Sequence, residues 1–172
     1  VTLTEKINLL MVCEIYEHLE IAGEFDPAFV KSAVLGGHMW ALEWDLGGLS
    51  EPAVPRELAE EVGTILDMWS YIEYSFGELD SAGRADLQAK APVWGKDPKF
   101  RGFDGNHETL HMSVAAFMVE KMRRFSEFKG RSFNSHSPEI EMSRRMLREF
   151  QSTVRAGSPL SADQLATILN AR

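Results

Sequence analysis

Among 172 residues the chain has one cysteine, Cys13. A single cysteine cannot close an internal disulfide, so nothing in the fold requires an oxidising compartment. Met11, Val12 and Ile15 flank it in a helical pattern, and Cys13 reads as a small buried apolar side chain rather than a reactive thiol. No apolar run approaches the roughly 20 residues of a membrane span. No basic stretch followed by an unbroken apolar core opens the chain, so no secretory signal is expected and the cytoplasm is the expected location. The chain starts at Val1 rather than Met, which leaves open an alternative start or an origin in something longer. Internal repeats, low-complexity tracts and flexible linkers are also missing, so one multihelical domain over residues 1–172 is expected.

What is present is globular in balance, with 44% hydrophobic and 26% charged residues. A chain of this length buries about two thirds of its unfolded surface and needs neither metal nor disulfide to fold. The net charge of −8 hides an asymmetry. Residues 1–80 carry 16 acids and three bases, whereas residues 81–172 carry ten acids and 15 bases. The bases concentrate at Lys121, Arg123, Arg124, Lys129 and Arg131, then at Arg144, Arg145 and Arg148. Acidic and basic helices facing each other, within the chain or between subunits, account for this pattern. An anion or nucleic-acid surface is the alternative, and an overall acidic domain suits general DNA binding poorly.

Periodicity predicts an all-α fold of about six to seven helices. Thr2-Leu3-Thr4-Glu5 is a capping box, and Ile7, Leu10, Met11, Ile15 and Leu19 follow as an apolar face. Asp26-Pro27 opens a second helix, which Gly36-Gly37 closes. Trp40, Leu42, Trp44 and Leu46 alternate with the strand period, so a short strand pair near residues 38–46 is the one exception considered. Gly47, Gly48, Pro52 and Pro55 then mark a loop. From Pro55 the pattern is clearest. Leu58, Val62, Ile65, Trp69, Ile72, Phe76 and Leu79 step alternately by four and three, as in a central core helix or a subunit interface. Further helices are expected over Ser81–Lys90, from about Asn106 to Phe128 with Leu110, Val114, Phe117, Met118, Met122 and Phe125 inward, after Ser137-Pro138, and after Ser161. Gly157 and Pro159 separate the last two. Trp40, Trp44, Trp69, Tyr71 and Tyr74 read mainly as core.

His107-Glu108-Thr109-Leu110-His111 matches H-E-x-x-H. Histidines four apart on a helix can chelate one zinc, with the glutamate as base for a bound water, which makes a zinc hydrolase the alternative activity. The extended motif needs a histidine at the position of Phe117, and no spacing singles out a third ligand among Glu127, His136, Glu139 and Glu141. Asn106 as a cap and Glu108 at the positive end of a helix dipole explain the same string without metal. Arg101 to Asn106 could cradle an anion but lacks P-loop spacing, and turn formation is the simpler role. Ser132 to Ser137 surrounds His136 with hydroxyls but has no nucleophile elbow.

Six strings run in order along the chain: His38–Leu46, Ile65–Glu73, Arg101–Glu108, Arg124–Pro138, Arg144–Phe150 and Leu160–Ala171. Together they resemble the YfbU family, a bacterial group. The resemblance implies a helical cytoplasmic domain, with no activity and no catalytic residues to carry over. Some relatives look to carry an N-terminal ribbon-helix-helix segment, and a DNA-linked regulator would need such a segment ahead of Val1.

The expectation is a non-enzymatic interaction or regulatory protein that works as a homo-oligomer. It rests on the Leu58–Leu79 stripe, the complementary charge of the two halves and the lack of a coherent catalytic set. No resident cofactor, membrane partner or nucleic-acid partner of this chain alone is expected, and no small-molecule ligand is named.

Overall fold

The structure is a computed structural model that describes residues 1–46, 54–154 and 158–172. The turn signals at Gly47, Gly48, Pro52 and Gly157 lie outside the described residues. Among the described residues there are eight α-helices and no strand, so the fold is all-α. The one departure is an isolated parallel bridge between Phe103 and Asn134. The helices gather into two compact units, Val1–Ala53 and Val54–Arg172.

In the first unit, α1 spans Leu3–His18 behind the expected capping box. The Thr2 hydroxyl accepts from the Glu5 amide, and the Glu5 carboxylate accepts from the Thr2 amide. α2 spans Pro27–Gly36, with Asp26 accepting from the amides of Ala28 and Phe29 and Gly37 closing it at φ 73°. The segment with strand-like alternation is instead a short helix, α3, over Met39–Asp45. No strand pair forms at residues 38–46. A strand there would need a partner, whereas a helix packs Leu42 against Ala33 and Val34. Trp40 and Trp44, four apart, then meet edge to face at 5.7 Å, and both are exposed rather than core.

Cys13 is the one residue of α1 that is fully buried, and burial pushes its thiol pKa up. Most of the apolar residues that recur along it face outward: Ile7, Met11, Ile15 and Leu19 are exposed. α1 turns the side carrying Leu10 and Cys13 toward α2, because helix packing needs only one face and this helix is apolar on two.

In the second unit, α4 spans Arg56–Glu78 and supplies the centre of the core. Val62, Ile65, Leu66, Met68, Trp69 and Ile72 are all buried, so the stripe read from the sequence is consumed by intrachain packing. α5 (Ser81–Lys90) and α8 (Ala162–Asn170) pack together, while α6 (Thr109–Ala116) and α7 (Ile140–Thr153) both lie against α4. Asp80 caps α5, and a reciprocal Ser161–Gln164 box caps α8.

α6 is much shorter than the helix predicted from Asn106 to Phe128. It starts at Thr109 and widens into a π-helical turn over Phe117–Lys121. It stops where Arg123 and Phe125 adopt left-handed backbone conformations, φ 57° and 52°. A single 3₁₀ turn at Ser126–Phe128 then drops Phe128 into the core. A straight helix could not bring Phe128 back. The inward face is Val114, Ala115, Met118 and Val119, while Leu110, Phe117 and Met122, expected inside, are exposed.

Part of the charge asymmetry cancels inside this unit. Arg144 on α7 forks onto Glu61 on α4 at 2.7 and 3.0 Å. Arg131 forks onto Glu73 on α4, with both bonds 2.8 Å long. No helix among the described residues is long and apolar enough to cross a membrane.

Candidate functional site

The H-E-x-x-H string lies where two loops of the second unit are stitched together. Gly102 has φ 92°, and a Cβ there would come within 2.1 Å of the Phe133 carbonyl, so only glycine lets the loops meet. The Phe103 amide donates to the Phe133 carbonyl at 2.8 Å, and the Ser135 amide donates to the Phe103 carbonyl at 3.0 Å. The Asn134 side-chain oxygen accepts from the amides of Gly105 and His136, at 3.0 and 2.9 Å. Loop hydrogen bonding therefore claims most of the polar residues around His136. In the Arg101–Asn106 turn the amides of Asp104, Gly105 and Asn106 donate to the side-chain oxygens of Glu108, Asn134 and Asp104 rather than facing an open anion cradle.

The three motif residues have three different surroundings. Glu108 is buried, and its carboxylate accepts three backbone amides: Asp104 on one oxygen, Glu139 and Ile140 on the other, all at 2.8 Å. It caps α7 from a distant part of the chain. A carboxylate bound in this way is not presented to a metal-bound water. His107 precedes the helix and is exposed, with Nδ1 2.5 Å from the buried Asp104 carboxylate. That partner, with the Asn106 amide, holds the Asp104 carboxyl below the usual range. His111 is in the first turn of α6, packs on Phe103 at 5.6 Å between centroids, and has Nε2 3.4 Å from Glu61 without hydrogen-bond alignment. Histidines at i and i+4 share a face only when both are helical, and α6 begins at Thr109. The helical argument for zinc chelation thus fails at its first ligand. Among the described residues no group of three His, Cys, Asp or Glu side chains is placed to hold a metal ion.

The third-ligand candidates are occupied or apart. Glu139 is buried and takes Arg172 at 2.7 Å on both oxygens. Glu141 pairs with Arg144, and Glu127 accepts from Ser70. His136 is exposed in a left-handed conformation, φ 55°. The buried Asp104 carboxylate fixes Nδ1 of His107 and so orients the exposed ring.

Sequence reasoning missed the buried charges beneath this junction. Arg172 lies over the Trp94 ring at 3.9 Å and over Trp69 at 5.6 Å, with its guanidinium on Glu139. The Asp104-Gly105 pair read only as a turn, and Arg172 carried no pattern at all. An aromatic-rich loop around Trp94, Phe100 and Phe103 was the available signal, since aromatic faces recruit arginine.

A cleft of about 780 Å³ lies elsewhere on this unit, lined by Asp67, Ser70, Tyr71, Tyr74, Glu127 and Phe150. Tyr71 and Tyr74 therefore line a recess at the surface, with the Tyr71 hydroxyl donating to the Ser158 carbonyl at 2.5 Å.

Comparison with known proteins decides the family. The YfbU domain matches residues 2–171. The chain belongs to the YfbU family. A similar protein in Methanocaldococcus jannaschii, the UPF0304 protein MJECS11, is 35% identical over 77 residues. That match covers 42% of this chain and 46% of the relative, so the chain spans about half the length of the curated relative it matches. Two of the strings that carry the YfbU resemblance, Arg101–Glu108 and Arg124–Pro138, contain the two loops of the junction, bound through Phe103, Asn134 and Glu108. Their chemistry in this YfbU chain is largely that of a structural clasp.

Proposed function

We propose that this YfbU protein is a non-enzymatic interaction or regulatory protein that works as a homo-oligomer in a bacterial cytoplasm. The observation that carries the reading is the first unit. Its core is small, centred on Ala33, Val34 and Leu42. Its helices leave Ile7, Met11, Ile15, Leu19, Leu35, Trp40 and Trp44 exposed. So many exposed large apolar side chains in a 53-residue unit are characteristic of association sites rather than of free surface. The Leu58–Leu79 stripe no longer supports the reading, because the core uses it.

The saturated carboxylate of Glu108 and the separation of His107 from the helix weigh against the zinc-hydrolase alternative. A DNA-linked regulator would depend on residues ahead of Val1. Light scattering coupled to size exclusion, at several concentrations, tests the proposal. An oligomer is expected, and a strict monomer at tens of micromolar would overturn it.

A further inference from the structure

The outward face of α1 has an order that its hydrophobicity alone does not explain. At every fourth residue it reads Leu3, Ile7, Met11, Ile15, Leu19. The series is the same from either end, with Met11 at its centre. All five side chains are between 47% and 74% exposed. Each step of four residues advances about 40° around a helix, so the five form one ridge that winds across about 160° of the outward side, with Ile7, Met11 and Ile15 at its centre.

We propose that two copies of this chain pair through α1, antiparallel, about a two-fold axis at Met11. The inference rests on the homo-oligomer reading and gives it a surface and a register. A two-fold interface must be self-complementary, because each copy offers the same patch. In antiparallel pairing about Met11, Ile7 lies level with the partner's Ile15, and Leu3 with the partner's Leu19. Met11 meets its own copy, where an unbranched thioether can adjust to close packing.

The polar residues of the face agree with that register. Asn8 shares a level with Glu14, and Thr4 with His18, so no like charges meet on the ridge. Glu5 and Glu17 share a level but lie about 120° to either side of the ridge centre, at 100° per residue, and Glu17 is held by Lys31 at 2.9 Å. A parallel pair would set Glu14 against its own copy and align the two helix dipoles. Burying Ile7, Met11 and Ile15 of each copy, with the Thr4, Asn8, Glu14 and His18 side chains around them and Leu3 and Leu19 at the margin, removes on the order of 1,000 Å² from water, about the threshold for a specific interface.

Single cysteines placed in a Cys13→Ala background test the register, once scattering has established that this background associates as the parent does. Differently tagged copies carrying Ile7→Cys and Ile15→Cys should cross-link to each other on mild oxidation. Met11→Cys should cross-link to itself, whereas Ile7→Cys alone and Leu35→Cys on α2 should stay largely uncrosslinked. Self-cross-linking of Ile7→Cys at the same yield as the mixed pair would overturn the antiparallel register. Met11→Glu with Ile15→Glu, its helical circular dichroism unchanged, should shift the apparent dissociation constant at least tenfold. An oligomer that persists in this variant would leave the homo-oligomer reading standing and remove α1 as its surface. A parent protein that is strictly monomeric would remove both.

Discussion

Glu108 caps a helix that begins 32 residues further along the chain, its carboxylate accepting the amides of Glu139 and Ile140 at 2.8 Å each. The other oxygen accepts the buried Asp104 amide. One side chain thus joins the start of α6, the start of α7 and the turn before α6. Glu108→Ala leaves these donors without partners and should cost about 2–4 kcal/mol. Glu108→Gln keeps one acceptor oxygen and should lose less. Guanidinium denaturation of the three proteins checks this, and equal midpoints for parent and Ala variant would count against it.

Arg172 and Glu139 form a pair that is almost closed to solvent, under the Trp94 ring. Removing one member of a buried pair strands the other charge. Arg172→Ala is expected to destabilise by about 3–5 kcal/mol. Arg172→Lys should recover only part of that, because an ammonium neither forks onto the carboxylate nor stacks on indole as guanidinium does. Thermal melts followed by tryptophan fluorescence report both effects, since Trp69 and Trp94 are the rings involved.

The fork of Arg144 on Glu61 should make stability fall in acid. Hydrogen bonds from Arg144 hold the Glu61 carboxyl below the ordinary glutamate value of 4.5. A depressed folded-state pKa contributes stability that is complete above the unfolded value and is lost as pH falls through the lower folded one. Urea midpoints should therefore drop as pH is lowered from 5 toward about 3, and Glu61→Gln should drop less steeply. The pair is partly exposed, so a double-mutant cycle with Arg144 should give a coupling of about 1 kcal/mol or less. A parallel pH profile in Glu61→Gln would show that the acid sensitivity lies elsewhere.

Gly102→Ala should open the junction between the two loops. Its φ of 92° strains any L side chain, and the added methyl would collide with the Phe133 backbone. A loss of more than about 2 kcal/mol is expected, together with faster hydrogen exchange at the amides of Phe103 and Ser135. Unchanged protection at those two amides would contradict the geometry.

Much of the architecture was legible in local chemistry. The Thr2 and Ser161 capping boxes, the Asp26-Pro27 start and the Gly37 stop each act through neighbours in sequence. The seven-residue stripe of α4 marked the core because a helix as long as Arg56–Glu78 can bury one face along its whole length. Around Trp40, alternation over so few residues fits either period, and packing of Leu42 on Ala33 decides for the helix. α6 ends well before its apolar pattern does for a related reason. Left-handed residues at Arg123 and Phe125 leave no sequence mark when they are not glycine.

The candidate site divides along the same line. His107, Glu108 and His111 were found by spacing, but spacing assumes a helix that starts before them, and the start is set by Glu108 serving α7 instead. The outward ridge of α1 is written entirely in the sequence, as Leu3, Ile7, Met11, Ile15 and Leu19. Which way it faces is not. By itself the sequence determined the helices, their caps and the apolar periodicities, since these depend on residues within a few positions of each other. Only the tertiary structure decided which apolar face is buried and which carboxylate is spent on backbone amides, because burial and capping are set by partners that arrive from tens of residues away.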